Sequence, residues 1–214
     1  MKCMSKCCDL YYIIKFDISK FFDSINKDIL FSILKNKISD KYLLKFTYDL
    51  IYSYKNPGLA IGNYSSQYFA NIYLNELDYY VKYDLGIKYY IRFMDDFIIL
   101  VKDKEDAKYI YSLIEKFLWN KLRLKLNTRS RYFPKNLGCS FLGYHIYENY
   151  ILIKSSNKKK IYKKIKIWNK LYDLGILDEV KFILSYNSYK GYIKHANSCS
   201  LIKDINSKIK CFEK

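Results

Sequence analysis

The sequence predicts an α+β fold: a ferredoxin-like antiparallel sheet with helices on one face, followed by a small, basic helical region. Three observations carry that expectation. An apolar, β-rich segment ends on an aspartate, two more β-rich runs flank a short acidic turn, and helical patterns separate and follow them. Strand, helices, hairpin, helix and strand in that order is the split β-α-β-β-α-β arrangement.

The segment Tyr11 to Asp17 (YYIIKFD) reads as a central strand, being apolar and rich in β-formers. Ser24 and Asn26 are capping residues ahead of a helix marked by Ile29, Leu30, Ile33 and Leu34. A second helix is expected from about Lys41 to Tyr54, and Pro57, Gly58 and Gly62 mark a loop over Lys55 to Asn63. A long helix follows from about Ser65 to Tyr83, ended by Gly86. KYYIRFMDDFIILVKD has the pattern of a hairpin, and Asp103 to Lys121 that of a helix with Ile110, Leu113, Ile114 and Phe117 on one face. Leu122 to Leu126 returns to period two as the next strand. GCSFLGYHIY and YILIK read as another pair of strands, and from Asn157 the chain becomes helical and basic.

At 214 residues with half of them hydrophobic, the chain is long and apolar enough to bury a core, which excludes a disordered or fibrous class. Lys and Arg number 38 against 21 acidic residues, a net charge of +17 that favours a polyanionic partner. The 25 tyrosines beside abundant Lys, Ile and Asn also fit an AT-rich coding bias, so charge alone leaves both readings open. No apolar run approaches a membrane span and MKCMSKCCDL lacks a signal-peptide core, so a cytoplasmic protein without a membrane partner is expected. Cys3, Cys7, Cys8, Cys139, Cys199 and Cys211 match no zinc or disulfide spacing and are expected to be reduced thiols.

The folding pattern brings Asp17, at the end of the first strand, beside Asp95 and Asp96 in the hairpin turn, at a partly dry sheet edge. Two carboxylates about 4 Å apart repel by roughly 4 kcal/mol at an effective dielectric of 20. Without compensation one takes up a proton; a hard cation such as Mg²⁺ removes the conflict and keeps positions open for water and phosphate. Two such ions would stabilise the attacking and leaving oxygens of a phosphoryl transfer. An isolated Asp-Asp turn can equally be a solvated hairpin loop.

The wider context resembles one family. KFDISKFFDSI resembles motif A of reverse transcriptases, GLAIGNYSSQYFANIYLNELD motif B, FMDD motif C, LRLKLNTRSRY motif D and CSFLGY the primer-grip motif E. SYKGYIKHANS is similar to the thumb segment of bacterial reverse transcriptases. The motifs stand in order over nearly the whole chain. The resemblance implies a polymerase palm over 11–154 with motifs A to E and a basic helical thumb over 155–214. Only a remnant, 1–10, stands where the family has its fingers. A truncated gene, a fragment or one half of a split enzyme is therefore expected, with a separate fingers segment as partner.

Carried over residue by residue, the resemblance makes Asp17, Asp95 and Asp96 catalytic and metal-binding. The Ile18 carbonyl is a further ligand to two Mg²⁺ ions, with Mn²⁺ as the alternative metal. Phe22, five residues after Asp17, matches the steric gate under the incoming sugar, with core packing beside Phe21 as the plain alternative. Ile61, Gly62 and Gln67 line the nucleotide, and Ser66 contacts template or primer unless it is an ordinary helix cap. Arg92 touches the primer, pairs with Asp96 or forms a sheet-edge salt bridge. The motif D cation is one of Lys125, Arg129 and Arg131. Leu142 and Gly143 place the primer terminus, with a tight strand turn as the plain alternative for Gly143. Lys190, Lys194 and His195 meet duplex phosphates unless the lysines are ordinary surface charge of an AT-rich chain.

Where group II intron and retron enzymes carry Q-G-x-x-x-S-P in motif B, this chain has Ile61-Gly62-Asn63-Tyr64-Ser65-Ser66-Gln67. That form resembles reverse transcriptases of diversity-generating retroelements. It implies error-prone cDNA synthesis from dNTPs on an RNA template and DNA primer, with a small accessory variability protein. Retron and abortive-infection reverse transcriptases are the neighbouring alternatives. A catalytically impaired remnant that only binds nucleic acid is the alternative from another class. A cyclase-like palm would need Gly-Gly before the acidic residues, where this chain has Phe93-Met94.

Overall fold

The computed structural model describes residues 12–210. These fall into two compact units, through Pro134 and from Lys135 onward. Cys3, Cys7, Cys8 and Cys211, and the thiol state expected of them, lie outside the described residues. Cys139 is buried and Cys199 exposed.

The first unit opens on β1 (Tyr12–Asp17), a short α1 (Phe21–Ser24), α2 (Lys27–Lys35) and α3 (Lys41–Tyr52). Then follow α4 (Tyr64–Tyr79), extended by a π-helical turn over Tyr80–Asp84, β2 (Tyr90–Phe93), β3 (Asp96–Val101), α5 (Lys104–Leu122) and β4 (Arg131–Pro134). The sheet runs β2-β3-β1-β4 with every neighbour antiparallel, the ferredoxin-like order.

Local chemistry explains these elements. Asn26 caps α2 by accepting the Asp28 and Ile29 amides, while Ser24 closes α1 rather than capping a helix. Asp40 and Asp103 cap α3 and α5 in the same way. On the helix-covered face, Ile14, Phe16, Phe97 and Ile99 meet Ala70, Tyr73, Leu74 and Leu77 of α4 and Ile114 and Leu118 of α5. Phe16 stacks on Phe97 at 4.6 Å, and the Tyr73 hydroxyl donates to the Leu122 carbonyl at 2.6 Å. Side chains alternate along a strand, so Lys15, Asp17 and Asp96 lie on the opposite face.

The fourth strand is not where the sequence pattern puts it. Leu122 belongs to the last turn of α5, which Arg123 closes in the left-handed region (φ 53°) while Leu124 donates to the Leu118 carbonyl. Leu122 and Leu124 are both buried, which mimics a strand's alternation. Only Leu126 reaches the sheet, in a single bridge to Ile18, and β4 forms later.

In the second unit GCSFLGYHIY divides into two strands, so the expected pair is a three-stranded sheet: β5 (Cys139–Phe141), β6 (Tyr144–Ile146) and β7 (Ile151–Ile153). The break is a two-residue turn, Leu142 (φ 48°) and Gly143 (φ 88°), a sequence of positive φ values that suits the right-handed twist of a hairpin. This sheet clusters with α6 (Ser155–Asp173), α7 (Glu179–Lys194) and α8 (Cys199–Ser207), so the boundary between units falls at Pro134–Lys135. Ile161, Ile165, Trp168, Phe182 and Ile193 fill its core. Among the described residues no helix is long and apolar enough to cross a membrane.

Candidate active site

β1 and β3 deliver the acidic residues to one place. Their ladder ends with Asp17 directly opposite Asp96, and the Ile18 amide donates to the Asp95 carbonyl at 3.3 Å. Directly opposed residues hold their Cβ atoms roughly 4.5–5.5 Å apart, so the two carboxylates share one patch of the sheet face. Asp95 sits in the two-residue turn after Met94, which takes a positive φ of 54°, an uncommon conformation for a residue with a side chain.

The electrostatics are those of a crowded acidic edge. Burial first, and then the charge of Asp17, push the Asp95 carboxyl above the usual carboxylate range. Burial pushes Asp96 up as well; the Lys15 ammonium pulls it down, and Asp17 and Asp95 push it up again. Lys15 donates to Asp96 Oδ2 at 3.2 Å, while Asp96 Oδ1 is buried with no hydrogen-bond partner. A buried acceptor without a donor is costly unless a cation or proton meets it. Lys15 was not singled out in the sequence. Its signal was its position two residues before Asp17, hence on the same face.

Among the described residues no three His, Cys, Asp or Glu side chains close into a ready-made metal cage. The donor set nonetheless fits Mg²⁺, which keeps several waters and takes one or two carboxylates together with substrate phosphates rather than an all-protein cage. The Ile18–Leu126 bridge is held by Ser19 N–H to the Lys125 carbonyl (2.9 Å) and Asn127 N–H to the Asp17 carbonyl (2.7 Å). The Ile18 carbonyl therefore does not pair with Leu126.

Phe22 is half-buried and packs edge-on against Phe21 at 5.6 Å. Its carbonyl accepts the Leu59 amide at 2.9 Å, and a Cβ on Gly58 (φ 77°) would stand 2.1 Å from that oxygen. Gly58, read in the sequence only as a loop marker, thus lets the loop carrying Ile61 and Gly62 close onto Phe22. Ile61, Gly62 and Gln67 are exposed. Ser66 is buried (5 % exposed) and follows the N-cap position, which belongs to Asn63.

Arg92 faces the helices. It grips Asp78 of α4 through Nε (2.8 Å) and Nη2 (2.5 Å), and Nη1 reaches Asn71 and the Met94 carbonyl. Burial opposes ionisation of Asp78, but hydrogen bonds from Arg92 and Tyr90 outweigh it and hold that carboxyl below the usual range. Of the readings open for Arg92, the structure has an internal salt bridge that braces the hairpin turn.

Of the motif D cations, Lys125 lies over the Trp119 ring at 5.0 Å and Arg131 over the Phe133 ring at 5.4 Å. Arg129 is exposed in the turn between them, on the chain segment that reaches Asp17. In the second unit Gly143 is fixed structurally: its carbonyl accepts the Tyr192 hydroxyl at 2.6 Å, and a Cβ would meet that hydroxyl at 2.7 Å. Leu142 is half exposed in a strained backbone. Lys190, Lys194 and His195 are exposed on or at the end of α7.

A ferredoxin-ordered sheet with an acidic hairpin defines a palm-type class, and comparisons agree. Telomerase from Candida tropicalis, in complex with a TWJ fragment of telomeric RNA, matches with a TM-score of 0.58 at 15 % identity, over 75 % of this chain and 33 % of that one. Telomerase from Candida albicans, also with a TWJ fragment, gives 0.53 at 13 % identity, over 93 % and 44 %. The chain thus spans between a third and a half of the length of these solved chains, and at such identities the likeness shows the fold alone. A search of curated proteins finds no significant match. The family model described as reverse transcriptase (RNA-dependent DNA polymerase) matches residues 3–146. The chain belongs to the reverse transcriptase family.

Proposed function

We propose that this chain provides the palm and thumb of an RNA-directed DNA polymerase. It would extend a DNA primer on an RNA template from dNTPs, with two Mg²⁺ ions as cofactors. One observation carries the reading: Asp17 opposes Asp96 beside Asp95, on a sheet edge where Asp96 Oδ1 has no partner. Membership of the reverse transcriptase family supports it.

When bound, Mg²⁺ supplies the positive charge that a phosphoryl transfer needs on its attacking and leaving oxygens. The chain's own residues do the rest. Asp17 and Asp95 would hold the cations, supported by Asp96, which Lys15 keeps oriented through its hydrogen bond to Oδ2. Arg129, exposed in the turn that bonds to the Asp17 backbone, would be the cation that meets the departing phosphates, with Lys125 and Arg131 as its rivals. Phe22, its backbone pinned by Leu59, excludes a 2′-hydroxyl by shape. The strained Leu142 and the basic end of α7 would contact the primer strand. The motif B sequence from Ile61 to Gln67, with Ile61 exposed and without an amide to offer, supports the diversity-generating subtype and its accessory protein. The apolar outer side of α3, where Tyr42 and Phe46 are 88 % and 63 % exposed, is a surface suited to a further protein segment.

The test is primer extension on an RNA template with Mg²⁺, comparing the chain with Asp95→Ala and Asp96→Ala, with and without a supplied fingers segment. Extension by the unmodified chain that both substitutions abolish is expected. No extension under either condition refutes the enzyme reading and leaves the binding remnant.

A further inference from the structure

Asp17 is held by its backbone in a way that the strand ladder does not account for. The β1–β4 pairing stops at Lys15 and Arg131, short of Asp17. A side chain takes over. The Asp17 amide donates to Ser130 Oγ at 3.0 Å, and the same hydroxyl donates to the Asp17 carbonyl at 3.1 Å. That carbonyl also accepts the Asn127 amide at 2.7 Å, and the Ser130 amide closes the turn on the Asn127 carbonyl at 2.9 Å. Asn127 Oδ1 accepts the Arg129 amide at 3.1 Å, stiffening the turn from within.

One hydroxyl therefore satisfies both polar groups of the residue that bears the carboxylate. Ser130 is 9 % exposed, so water does not readily replace it. Without the hydroxyl, the Asp17 amide at the sheet edge would lose its acceptor, and such a group moves until it finds another. Outer groups that orient a ligand typically set metal affinity within about 10–100-fold.

We propose that Ser130 is a positioning residue. Its hydroxyl fixes the Asp17 peptide so that the carboxylate stays turned toward Asp95 and Asp96 for a divalent cation. This rests on the metal-site reading above. It adds that the turn from Asn127 to Ser130, which also carries Arg129, sets the geometry of the first carboxylate.

The test uses the full chain and Mn²⁺ alone, with free Mn²⁺ read by electron paramagnetic resonance and amide exchange read in parallel. Ser130→Ala is expected to weaken Mn²⁺ binding about tenfold. It should also speed exchange of the Asp17 amide, while amides within β3 keep their protection. Ser130→Thr, which retains the hydroxyl, is expected to restore both. Equal Mn²⁺ affinity in Ser130→Ala overturns the proposal, as does protection lost throughout β1 and β3, which marks a purely structural role. If the unmodified chain binds no Mn²⁺, the metal-site reading itself fails and takes this proposal with it.

Discussion

Asp17 and Asp96 face each other across the last pair of the β1–β3 ladder, and Lys15 sets its ammonium 3.2 Å from Asp96 Oδ2 on the same face. Asp95 and Asp96 both have carboxyls raised above the usual range, by burial first. A carboxyl whose folded-state pKa is raised binds its proton more tightly in the folded chain than in the unfolded one. Its contribution to stability is therefore lost as pH rises from the ordinary carboxylate value through the raised one. In metal-free buffer, Asp96→Asn is expected to raise the melting temperature at neutral pH by about 2–4 °C and to flatten its fall above pH ~4. Thermal scans across pH check this, and an unchanged or lower melting temperature at neutral pH would contradict it.

Arg92 and Asp78 make the opposite kind of pair. Their side chains are 11 % and 23 % exposed, and the guanidinium also reaches the Met94 carbonyl in the acidic turn. Removing one partner leaves a largely buried charge alone, so Arg92→Ala is expected to cost about 2 kcal/mol in urea denaturation. Asp78 is held below the usual carboxylate range, so its share of stability is present at neutral pH and lost as pH falls through that lowered value.

Gly58 and Phe22 form a coupled pair in sugar discrimination. Phe22→Ala is expected to raise ribonucleotide incorporation relative to deoxynucleotide on the order of tenfold or more. Gly58→Ala adds strain at φ 77° and a clash with the Phe22 carbonyl, so it is expected to lower stability by more than about 1 kcal/mol and to relax the same discrimination. Competition assays between the two nucleotide types read both variants.

Binding of nucleic acid is expected to depend steeply on salt, given a net charge of +17. Replacing Lys190 and Lys194 together by Gln should lower the slope of log affinity against log salt by about two, one per phosphate contact, leaving the melting temperature within a degree or so. Binding titrations at several salt concentrations give the slope.

Much of this was legible because periodicity and chemistry agreed. The apolar run into Asp17, the Asn26 cap and the hairpin around Asp95 each carry a local signal, and together they set the sheet order. Where two physical causes leave the same pattern, the sequence misled: Leu122 and Leu124 alternate because a helix end and its tail both bury a leucine. What stayed hidden were contacts made only by folding. Ser130 lies 113 positions from Asp17, and nothing in the segment LRLKLNTRSRY marks it apart from its neighbours. Gly58 looked like any loop glycine until its closeness to Phe22 was seen. Arg92 had three readings because only the helix packing brings Asp78 within reach.

The most direct measurement of the central claim is a crystal of the chain soaked with Mn²⁺ and a non-hydrolysable deoxynucleoside triphosphate, examined by anomalous scattering. The expected result is metal density at about 2.1 Å from carboxylate oxygens of Asp17 and Asp95, with the triphosphate on the same ions. Metal and nucleotide absent from that edge, or bound elsewhere on the chain, would contradict it.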